Sequence, residues 1–464
     1  MSKQILWTAE EAGSATGGTA KGNWIASGVS IDTRTIETGD LFVALKGERD
    51  GHVFAAAALE KGAAACLVSR VPADVKPDAP LLVVHDTQTA LEALGRASRA
   101  RTVARIIAVT GSAGKTTTKE MLRLMLSAQG NVTASAASYN NHWGVPLSLA
   151  RMPRDTDFGI FEVGMNHAGE IRNLIHHVRP HVAVITTIAP AHIEYFRTIE
   201  AIADAKAEIF EGIEAGGACL IPIDNPQFAR LRQRAEQLGI SPVVTFGVHA
   251  SADARLISAA AVDGGQKVTA KIFGRDMDFR IGATGRHIAL NAIAALAAVQ
   301  LAGGDMEHGA TALAGFAPLK GRGARTAAGD IEIIDESYNA NPASMAAALD
   351  VLAAASPGRG GRRIAVLGDM LELGEHSDSL HAGLARDIAT AKIDLVFLCG
   401  PHMRALWAAV PPEHRGAYAE SSAGLAPELL SRVRPADVVL VKGSLGSRMA
   451  VIVEALKNRE PAAA

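Results

Sequence analysis

The chain has 464 residues, with 46 Lys and Arg against 48 Asp and Glu, a formal net charge of −2 at pH 7. At roughly 150 residues per domain, this length predicts about three domains, and the balanced charge argues against nucleic acid or an anionic membrane as the partner. Hydrophobic residues make up 48% of the chain but aromatic residues only 4%, which favours α/β layers over an aromatic-packed β-sandwich. The sequence contains no apolar run of the roughly 20 residues that a membrane helix requires and begins without the apolar core of a signal peptide, so we expect a cytoplasmic protein.

The first part of the chain, residues 1–103, predicts a small α/β module of its own. It contains DTRTIETGDLFVALKG (32–47), then an Ala-rich helix and the strand-like LLVVHD. A basic helix, LEALGRASRARTVAR (91–105), precedes the first predicted boundary, and its charges are typical of a solvated face.

The middle of the chain, residues 104–317, predicts a second α/β domain with a mostly parallel sheet. ARIIAVTG (104–111) is typical of a buried strand, TTKEMLRLMLSAQG (117–130) of a helix closed by its final glycine, and HVAVITTI (181–188) of a further strand. Short apolar strands alternating with amphipathic helices are the pattern of a parallel sheet covered by crossover helices.

Residues 318–464 repeat this alternation and predict a third α/β domain, after a break where Pro318 and two glycines interrupt helix and strand alike. The three cysteines stand in apolar stretches without metal-ligand spacing: Cys66, Cys219 and Cys399. We therefore expect buried strand thiols and no disulfide scaffold.

The sharpest motif is VTGSAGKTTTKEM (109–121), a predicted strand that runs through a Gly-rich turn into a predicted helix. The glycines permit backbone N–H groups to surround a phosphate at the helix N-terminus, the lysine can reach the β and γ phosphates, and either following threonine can complete a Mg²⁺ shell. Two residues separate the glycines, against four in the general phosphate loop. We predict a nucleotide site, with ATP favoured over GTP, formed by Gly111, Ser112, Ala113, Gly114, Lys115, Thr116 and Thr117.

Four clusters downstream of this loop indicate what the phosphate is used for. Glu162 ends an apolar strand, where an isolated carboxylate is costly unless it is paired or bound to a metal. The paired asparagines of SYNNHWGVP (138–146) can face a phosphate or substrate, but asparagines before Gly-x-Pro are also common turn formers. For His192 and Lys206 a non-functional interpretation is also open: the histidine can be a surface or helix-capping residue, and the lysine can be solvated.

Taken in order, TGSAGKTTT, YNN, EVGMNHAGEI, AHIE, AKAEIF, GRHIALNA, DESYNANP, GDMLELG and VKGS resemble the Mur ligases of peptidoglycan synthesis. The segment DTRTIETGDLFVALKG resembles the start of the same family, and YNN, MNHAGEI and ESYNANP are most similar to the members that add D-alanyl-D-alanine. The resemblance implies an N-terminal UDP-sugar-binding domain, a central ATP-binding domain and a C-terminal Rossmann-like ligase domain.

The reaction that the resemblance implies joins D-alanyl-D-alanine to UDP-N-acetylmuramoyl-tripeptide through an acyl phosphate, in cytoplasmic peptidoglycan precursor synthesis. A carboxylate is a poor electrophile, so phosphorylation by ATP supplies the leaving group, and Mg²⁺ with Lys115 must neutralise the approach of one anion to another. The resemblance implies ATP and two Mg²⁺ ions, and we expect a monomer, although the sequence leaves the oligomeric state open. It leaves the third residue of the tripeptide open between meso-diaminopimelate and lysine.

The resemblance also assigns roles to single residues. Thr116 and Glu162 would bind one Mg²⁺, and His192 with Lys206, carried over as a carbamylated lysine, would serve the second. His287 and Asn291 of GRHIALNA match adenine-side residues. The remaining residues assigned to ATP or catalysis are Asn141, Arg322, Asp335 and Glu336, beside Lys115, His192 and Lys206.

Two assignments keep alternatives. Which of Asp335 and Glu336 acts is open, and Asn341, Pro342 and Ser344 could instead be an N-cap cluster of the following helix. The resemblance assigns uridine and diphosphate contacts, with a charged turn as the alternative, to Asp32, Thr33, Arg34, Lys46 and Gly47.

Two other functions compete with this interpretation. A folylpolyglutamate synthetase shares the ATPase core but lacks the N-terminal UDP module, so DTRTIETGDLFVALKG argues against it. A P-loop regulatory switch has no reason to keep Glu162, His192 and Lys206 together.

Overall fold

The computed structural model describes residues 4–136, 138–191 and 193–459. Within these residues the strands form one two-stranded pair and three larger sheets of five, nine and six strands. Each larger sheet comes from one continuous stretch of chain, so the predicted succession of three α/β units is confirmed. In this described part, no helix is both long and apolar enough to span a bilayer.

The first unit packs helices against both faces of a mostly parallel sheet. Its elements are β1 (Trp7–Thr8), α1 (Ala9–Thr16), β2 (Thr19–Lys21), β3 (Ile25–Ala26), β4 (Gly28–Ser30), β5 (Asp40–Val43), α2 (Ala55–Glu60), β6 (Ala65–Val68), β7 (Leu81–Val83) and α3 (Thr87–Ala100). The strand order is β2-β7-β6-β5-β4, in which only β2 is antiparallel, and β1 pairs separately with β3.

The prediction that the basic segment 91–105 presents a solvated face is wrong at Arg99 and at Arg101, whose buried guanidinium lies over the Trp7 ring at 4.0 Å from the centroid. Arg99 is 5% exposed, and its guanidinium donates to the backbone carbonyls of Val178 and Arg179 at 2.9 and 2.8 Å. These carbonyls end a helix of the second unit, so the arginine joins the two units rather than facing solvent.

The second unit contains eight of the sixteen α-helices in the described residues. Its elements are β8 (Arg105–Thr110), α4 (Lys115–Ser127), β9 (Val132–Ala134), α5 (Gly144–Ala150), β10 (Phe158–Glu162), α6 (Glu170–Val178), β11 (Val182–Ile185), α7 (Ile193–Phe196), α8 (Ile199–Ala207), β12 (Ala218–Pro222), α9 (Phe228–Gln237), β13 (Val243–Gly247), β14 (Ala254–Val262), β15 (Gly265–Ile272), β16 (Arg275–Ile281), α10 (Arg286–Leu301) and α11 (Met306–Ala312). The order is β16-β15-β14-β13-β12-β11-β8-β10-β9, parallel except for the antiparallel β14-β15-β16 meander.

Two predicted boundaries move because the phosphate loop organises its neighbours. Helix α4 begins at Lys115, two residues earlier than predicted, since Gly114 at φ 83° turns the chain directly into the helix, and it ends at Ser127. Strand β11 ends at Ile185 rather than residue 188, because the following residues bond to the loop: the Ser112 N–H donates to the Thr187 carbonyl at 2.9 Å.

The third unit has a parallel sheet with one antiparallel edge strand. Its elements are β17 (Ala324–Ala328), β18 (Ile331–Glu336), α12 (Pro342–Ala353), β19 (Arg363–Gly368), α13 (Ser377–Thr390), β20 (Leu395–Cys399), α14 (Met403–Ala409), β21 (Arg415–Ala419), α15 (Ser422–Leu430), β22 (Val438–Lys442) and α16 (Ala450–Lys457). The order is β17-β18-β22-β19-β20-β21. Short 3-10 turns cover residues 51–54, 208–212, 313–315, 374–376, 412–414 and 445–447.

The three cysteines are buried and free, each in a strand: Cys66 in β6, Cys219 in β12 and Cys399 in β20. Burial raises the pKa of each thiol to about 12, so the thiols stay protonated and unreactive at neutral pH. The prediction of buried strand thiols is confirmed.

The strand order of the second unit creates a crevice beside β8. From β8 the chain crosses to β9 at the sheet edge, returns to β10 next to β8, and then continues to β11 on the other side of β8. Such a reversal leaves an opening at the carboxyl ends of parallel strands, where ligands bind in open α/β sheets. The ends of β18 and β22 of the third unit face the same opening.

Candidate active site

A cleft of about 640 Å³ lies between the second and third units. Its walls combine the phosphate loop, the ends of β10 and β18, the start of α10 and the start of α12. The cleft therefore brings together many of the residues predicted from sequence: Ser112, Ala113, Gly114, Lys115, Thr116, Thr117, Asn141, Glu162, His287, Asn291, Arg322 and Glu336.

Both glycines of the phosphate loop are required by their surroundings. Gly111 has φ 149°, and a Cβ there would lie 1.9 Å from the Thr186 hydroxyl oxygen. Gly114 has φ 83°, and a Cβ there would lie 2.8 Å from Nδ2 of Asn291, which places α10 directly against the loop. Any side chain at either position would displace the loop or its support.

Lys115 opens α4 with its amine folded back over the loop. Its Nζ donates to the carbonyl of Gly111 at 2.8 Å. Burial lowers the pKa of Lys115; the nearby Glu162 opposes this change, and Arg322 adds to it. The cleft therefore holds basic side chains from both units near the phosphate loop, which suits a polyanionic ligand.

Glu162 is the buried carboxylate at the end of β10, with 1% of its surface exposed. The Thr116 hydroxyl donates to its Oε2 at 2.8 Å, and Nδ2 of Asn140 donates to its Oε1 at 2.7 Å. These two hydrogen bonds from neutral groups satisfy both oxygens of the buried carboxylate. The first asparagine of the YNN motif therefore contacts this acid, whereas the second, Asn141, uses its Oδ1 to accept from the N–H groups of Trp143 and Gly144.

These groups fit part of a magnesium shell. Mg²⁺ prefers oxygen ligands and usually takes one or two from carboxylates and hydroxyls, with the rest from phosphates and water. Thr116 and Glu162 offer such oxygens side by side at the cleft floor. Among the residues that the structure describes, no group of three or more His, Cys, Asp or Glu could hold a metal alone, so the nucleotide would have to complete the shell.

Lys206 lies on α8 and is 2% exposed, although it does not line the cleft. Burial lowers the pKa of its amine well below the usual value, and the positive charge of Lys115 lowers it further. Two residues later, Glu208 accepts from the N–H groups of Gly169 and Arg172 at the start of α6, at 2.7 and 3.0 Å. His192, the other predicted residue of this group, lies outside the described residues.

The two acidic residues at the end of β18, Asp335 and Glu336, have different surroundings. Asp335 is enclosed: its carboxylate accepts from the N–H of Gly321 at 3.0 Å and from the hydroxyl of Ser337 at 2.6 Å, and it does not line the cleft. Glu336 lines the cleft, and its Oε2 lies 3.3 Å from Nζ of Lys442, the residue beside it on β22. The geometry therefore favours Glu336 as the carboxylate available to a ligand.

His287 and Asn291 project from neighbouring turns of α10 into the cleft. Burial lowers the pKa of His287, and the facing Glu336 of the third unit partly offsets this effect. A neutral imidazole is therefore the form present at pH 7.

Arg322 connects the two walls of the cleft. Its guanidinium stacks on the Tyr338 ring at 3.9 Å from the ring centroid and donates to the hydroxyl oxygen of Ser138 at 2.9 Å. Sequence reasoning assigned no role to Ser138, Tyr338 or Lys442, although each stands within or beside a quoted motif, because their contacts join segments far apart in the chain.

The predicted uridine-side residues lie on the first unit and outside the cleft walls: Asp32, Thr33, Arg34, Lys46 and Gly47. Arg34 forms a 2.6 Å ion pair with Asp32 and lowers the pKa of that carboxyl, so the charged turn proposed as the alternative is present. Gly47 lies against the indole of Trp143, where a Cβ would approach Cη2 to 2.7 Å. This contact joins the first unit to the segment that follows the YNN motif.

Three family models match successive parts of the chain: the Mur ligase family catalytic domain over residues 26–102, the Mur ligase middle domain over 109–299, and the Mur ligase glutamate ligase domain over 321–445. The UDP-N-acetylmuramoyl-tripeptide–D-alanyl-D-alanine ligase of Escherichia coli is 36% identical over 93% of both chains. A crystal structure of MurF from Acinetobacter baumannii superposes with a TM-score of 0.86 at 30% identity, covering 97% of this chain and 99% of that one. MurF from Thermotoga maritima, solved in complex with ADP, gives a TM-score of 0.79 at 26% identity, covering 93% and 97%.

Proposed function

Because this chain belongs to the Mur ligase family, with relatives of the D-alanyl-D-alanine-adding type matched along nearly its whole length, we propose that it joins D-alanyl-D-alanine to UDP-N-acetylmuramoyl-tripeptide at the expense of ATP. The product is UDP-N-acetylmuramoyl-pentapeptide, a peptidoglycan precursor. Its substrates include a UDP-linked sugar peptide and ATP, so we place the reaction in the cytoplasm. The match over residues 26–102 argues against a folylpolyglutamate synthetase, which lacks a UDP module.

The observation that carries this proposal is the cleft floor. Lys115, Thr116 and Glu162 stand together at the helix start where a phosphate chain binds, and Arg322 and Glu336 of the third unit face them. A nucleotide switch would need the loop but not a second domain that presents an arginine and a carboxylate to it. A ligase needs both, because the tripeptide carboxylate must reach the γ-phosphate and the amine of D-alanyl-D-alanine must then reach the acyl carbon in the same cleft.

The reaction has two displacement steps. A carboxylate oxygen of the tripeptide attacks the γ-phosphorus, and the bond between this phosphorus and the β–γ bridging oxygen breaks. ADP departs, and the tripeptide is now an acyl phosphate. The free amine of D-alanyl-D-alanine then attacks the acyl carbon, phosphate leaves with its electron pair, and the nitrogen loses a proton. The amide product, ADP and phosphate balance the atoms of the substrates.

The chain's own residues bind and neutralise the reacting groups. Lys115 releases the Gly111 carbonyl and donates to the phosphates, while Arg322 supports the same charge from the third unit. Thr116 and Glu162 would hold Mg²⁺, which when bound offsets the repulsion between the carboxylate and the phosphates. The adenine-side pair His287 and Asn291 position the nucleoside end, and Glu336 is the catalytic carboxylate that orients ligands at the interdomain cleft.

A second Mg²⁺ held by His192 and a carbamylated Lys206 remains part of the proposal. The burial and lowered pKa of Lys206 support it, because only a neutral amine captures CO₂ and the carbamate then supplies anionic oxygen. We also propose that the first unit binds the UDP moiety through Asp32, Thr33, Arg34, Lys46 and Gly47, that the domain boundaries lie near residues 103 and 317, and that the enzyme acts as a monomer.

Phosphate release tests the proposed function. The purified chain is incubated with ATP and Mg²⁺, and each acceptor substrate is omitted in turn. We expect release only when UDP-N-acetylmuramoyl-tripeptide and D-alanyl-D-alanine are both present. Release that continues without D-alanyl-D-alanine, or that requires glutamate and a folate instead, would contradict the assignment.

A further inference from the structure

The side-chain amide of Asn341 forms hydrogen bonds in two units: its oxygen within the third unit and its nitrogen to the second. Its Oδ1 accepts from the backbone N–H of Ser344 at 2.9 Å and caps α12. Its Nδ2 donates to the backbone carbonyl of Ser112 in the phosphate loop at 3.0 Å. Asn341 is 9% exposed, so this contact is largely shielded from water. The amide therefore joins the start of a helix in the third unit to the loop that opens α4 in the second.

Ser112 presents this carbonyl from a firmly held position. Its N–H donates to the carbonyl of Thr187 at 2.9 Å, and its hydroxyl donates to the carbonyl of Ala189 at 2.9 Å while accepting from the Ala189 N–H at 3.0 Å. Ser112 is thus fixed to the segment after β11 on one side, and its carbonyl is left for Asn341 on the other.

The Ser112 carbonyl belongs to the same peptide plane as the Ala113 N–H. In a trans peptide these two groups point in opposite directions, so a bond that fixes the carbonyl also fixes the direction of the N–H. Ala113 lines the cleft at the loop where a phosphate would bind, and among the described residues none accepts a hydrogen bond from its N–H. Phosphate loops bind their ligand through such N–H groups.

We propose that Asn341 is a positioning residue for phosphoryl transfer: it holds the Ser112–Ala113 peptide so that the Ala113 N–H faces the nucleotide phosphates only when the third unit is docked. This inference rests on the proposed function for its meaning in catalysis. In this docked arrangement Glu336 and Arg322, which also belong to the third unit, face the cleft at the same time as the phosphate loop is aligned. Docking and phosphate alignment are coupled through one side chain.

The helix cap and the loop contact can be separated by mutation. Asn341→Ser keeps an N-cap oxygen for the Ser344 N–H, adds no charge and is too short to reach Ser112. Asn341→Asp also keeps the cap but replaces the donor with an acceptor. Ser344→Ala is the matched control, because it removes the other half of the capping box and leaves the Asn341–Ser112 contact in place.

Hydrogen–deuterium exchange and kinetics provide the two measurements, on full-length protein. Without substrates, we expect Asn341→Ser and Asn341→Asp to exchange amides of residues 111–114 at least about threefold faster than wild type, with Ser344→Ala unchanged. In the complete reaction, we expect Asn341→Ser to lower kcat about five- to tenfold, with the Kd for ADP within about twofold of wild type.

Wild-type exchange and kcat in Asn341→Ser would overturn the inference. The inference would also be overturned if Ser344→Ala gave the same exchange rates and the same kcat as Asn341→Ser, because loss of the helix cap alone would then explain the effect. If Asn341→Ser fails to fold, Asn341→Asp carries the same comparison. A wild-type chain that makes no pentapeptide overturns the proposed function instead, and the exchange measurement still decides the role of Asn341.

Discussion

Thr116 and Glu162 meet through a 2.8 Å hydrogen bond from the threonine hydroxyl to Oε2. The threonine lies in the first turn of α4 and the glutamate at the end of β10, so the bond joins the phosphate loop to the neighbouring strand of the same sheet. It places a hydroxyl and a carboxylate oxygen beside the proposed phosphate site, which is the arrangement that a magnesium nucleotide needs.

Glu162→Gln tests this pair. The amide keeps the size of the side chain but removes the charge that attracts Mg²⁺, so we expect kcat to fall about a hundredfold or more, with a higher Mg²⁺ concentration needed for half-maximal rate. The measurement is a Mg²⁺ titration of the complete reaction. Thr116→Ser keeps the hydroxyl and is the control, for which we expect a loss of less than about tenfold. Normal rate and magnesium dependence in Glu162→Gln would remove Glu162 from the metal site.

Lys115→Ala tests the phosphate loop. It removes the cation that leaves the Gly111 carbonyl to reach the transferring phosphoryl group, and we expect turnover to fall about a thousandfold. Circular dichroism should show a folded protein, since the hydrogen bond that the substitution removes is local, to the Gly111 carbonyl four residues earlier. Near-normal turnover would argue against the nucleotide assignment.

Substitutions of Lys206 distinguish a role as a metal ligand from a role as a simple cation. Lys206→Ala should lose most activity, and acetate or formate should restore part of it by occupying the vacated carboxylate position. Lys206→Arg keeps the positive charge but cannot form a carbamate, so we expect it to fail as badly as Lys206→Ala. Full activity in Lys206→Arg would mean that the residue acts as a cation toward phosphate.

His181 should make the fold sensitive to acid. Its Nδ1 accepts from the Ile106 N–H at 2.9 Å, and burial, with the nearby Arg105 as a further cause, lowers its pKa to about 4. The unfolded chain, with a histidine pKa near 6.5, therefore binds more protons between these values, so stability falls as the pH drops from about 6.5 to about 4.

His181→Asn isolates that effect, because its Oδ1 can accept from the same N–H but does not titrate. Urea unfolding at pH 7 and pH 5 should give a smaller loss of unfolding free energy in the variant than in wild type. Equal losses would show that other groups dominate the acid response.

Local pattern was enough to predict the α/β succession and the phosphate loop. Buried apolar strands and the Gly-rich turn at residues 111–114 carry their structure in neighbouring residues, so their presence and order follow from local pattern, whereas the ends of α4 and β11 depend on the loop. The division of Asp335 from Glu336 was not predictable, because it depends on Gly321 and Lys442, which reach the pair from other segments.

Arg99 and Asn140 show the same limit. A basic helix is usually solvated, yet Arg99 is buried because another helix ends beside it, and only the fold supplies that carbonyl pair. The YNN motif singled out two asparagines, but which one reaches Glu162 depends on how the segment turns into α5. Sequence therefore predicts which motifs meet at the site more readily than which atoms within them touch.

Transfer of ¹⁸O most directly tests activation of the tripeptide carboxylate by phosphorylation at this cleft. UDP-N-acetylmuramoyl-tripeptide with both oxygens of its reacting carboxylate labelled is converted in the presence of ATP and D-alanyl-D-alanine, and the nucleotide and phosphate products are analysed by mass spectrometry. Because the attacking oxygen stays on phosphorus when the amine displaces phosphate, we predict one ¹⁸O in the released phosphate and none in ADP. Unlabelled phosphate, or label found in AMP, would contradict an acyl phosphate and with it the role assigned to the Lys115 and Glu162 site.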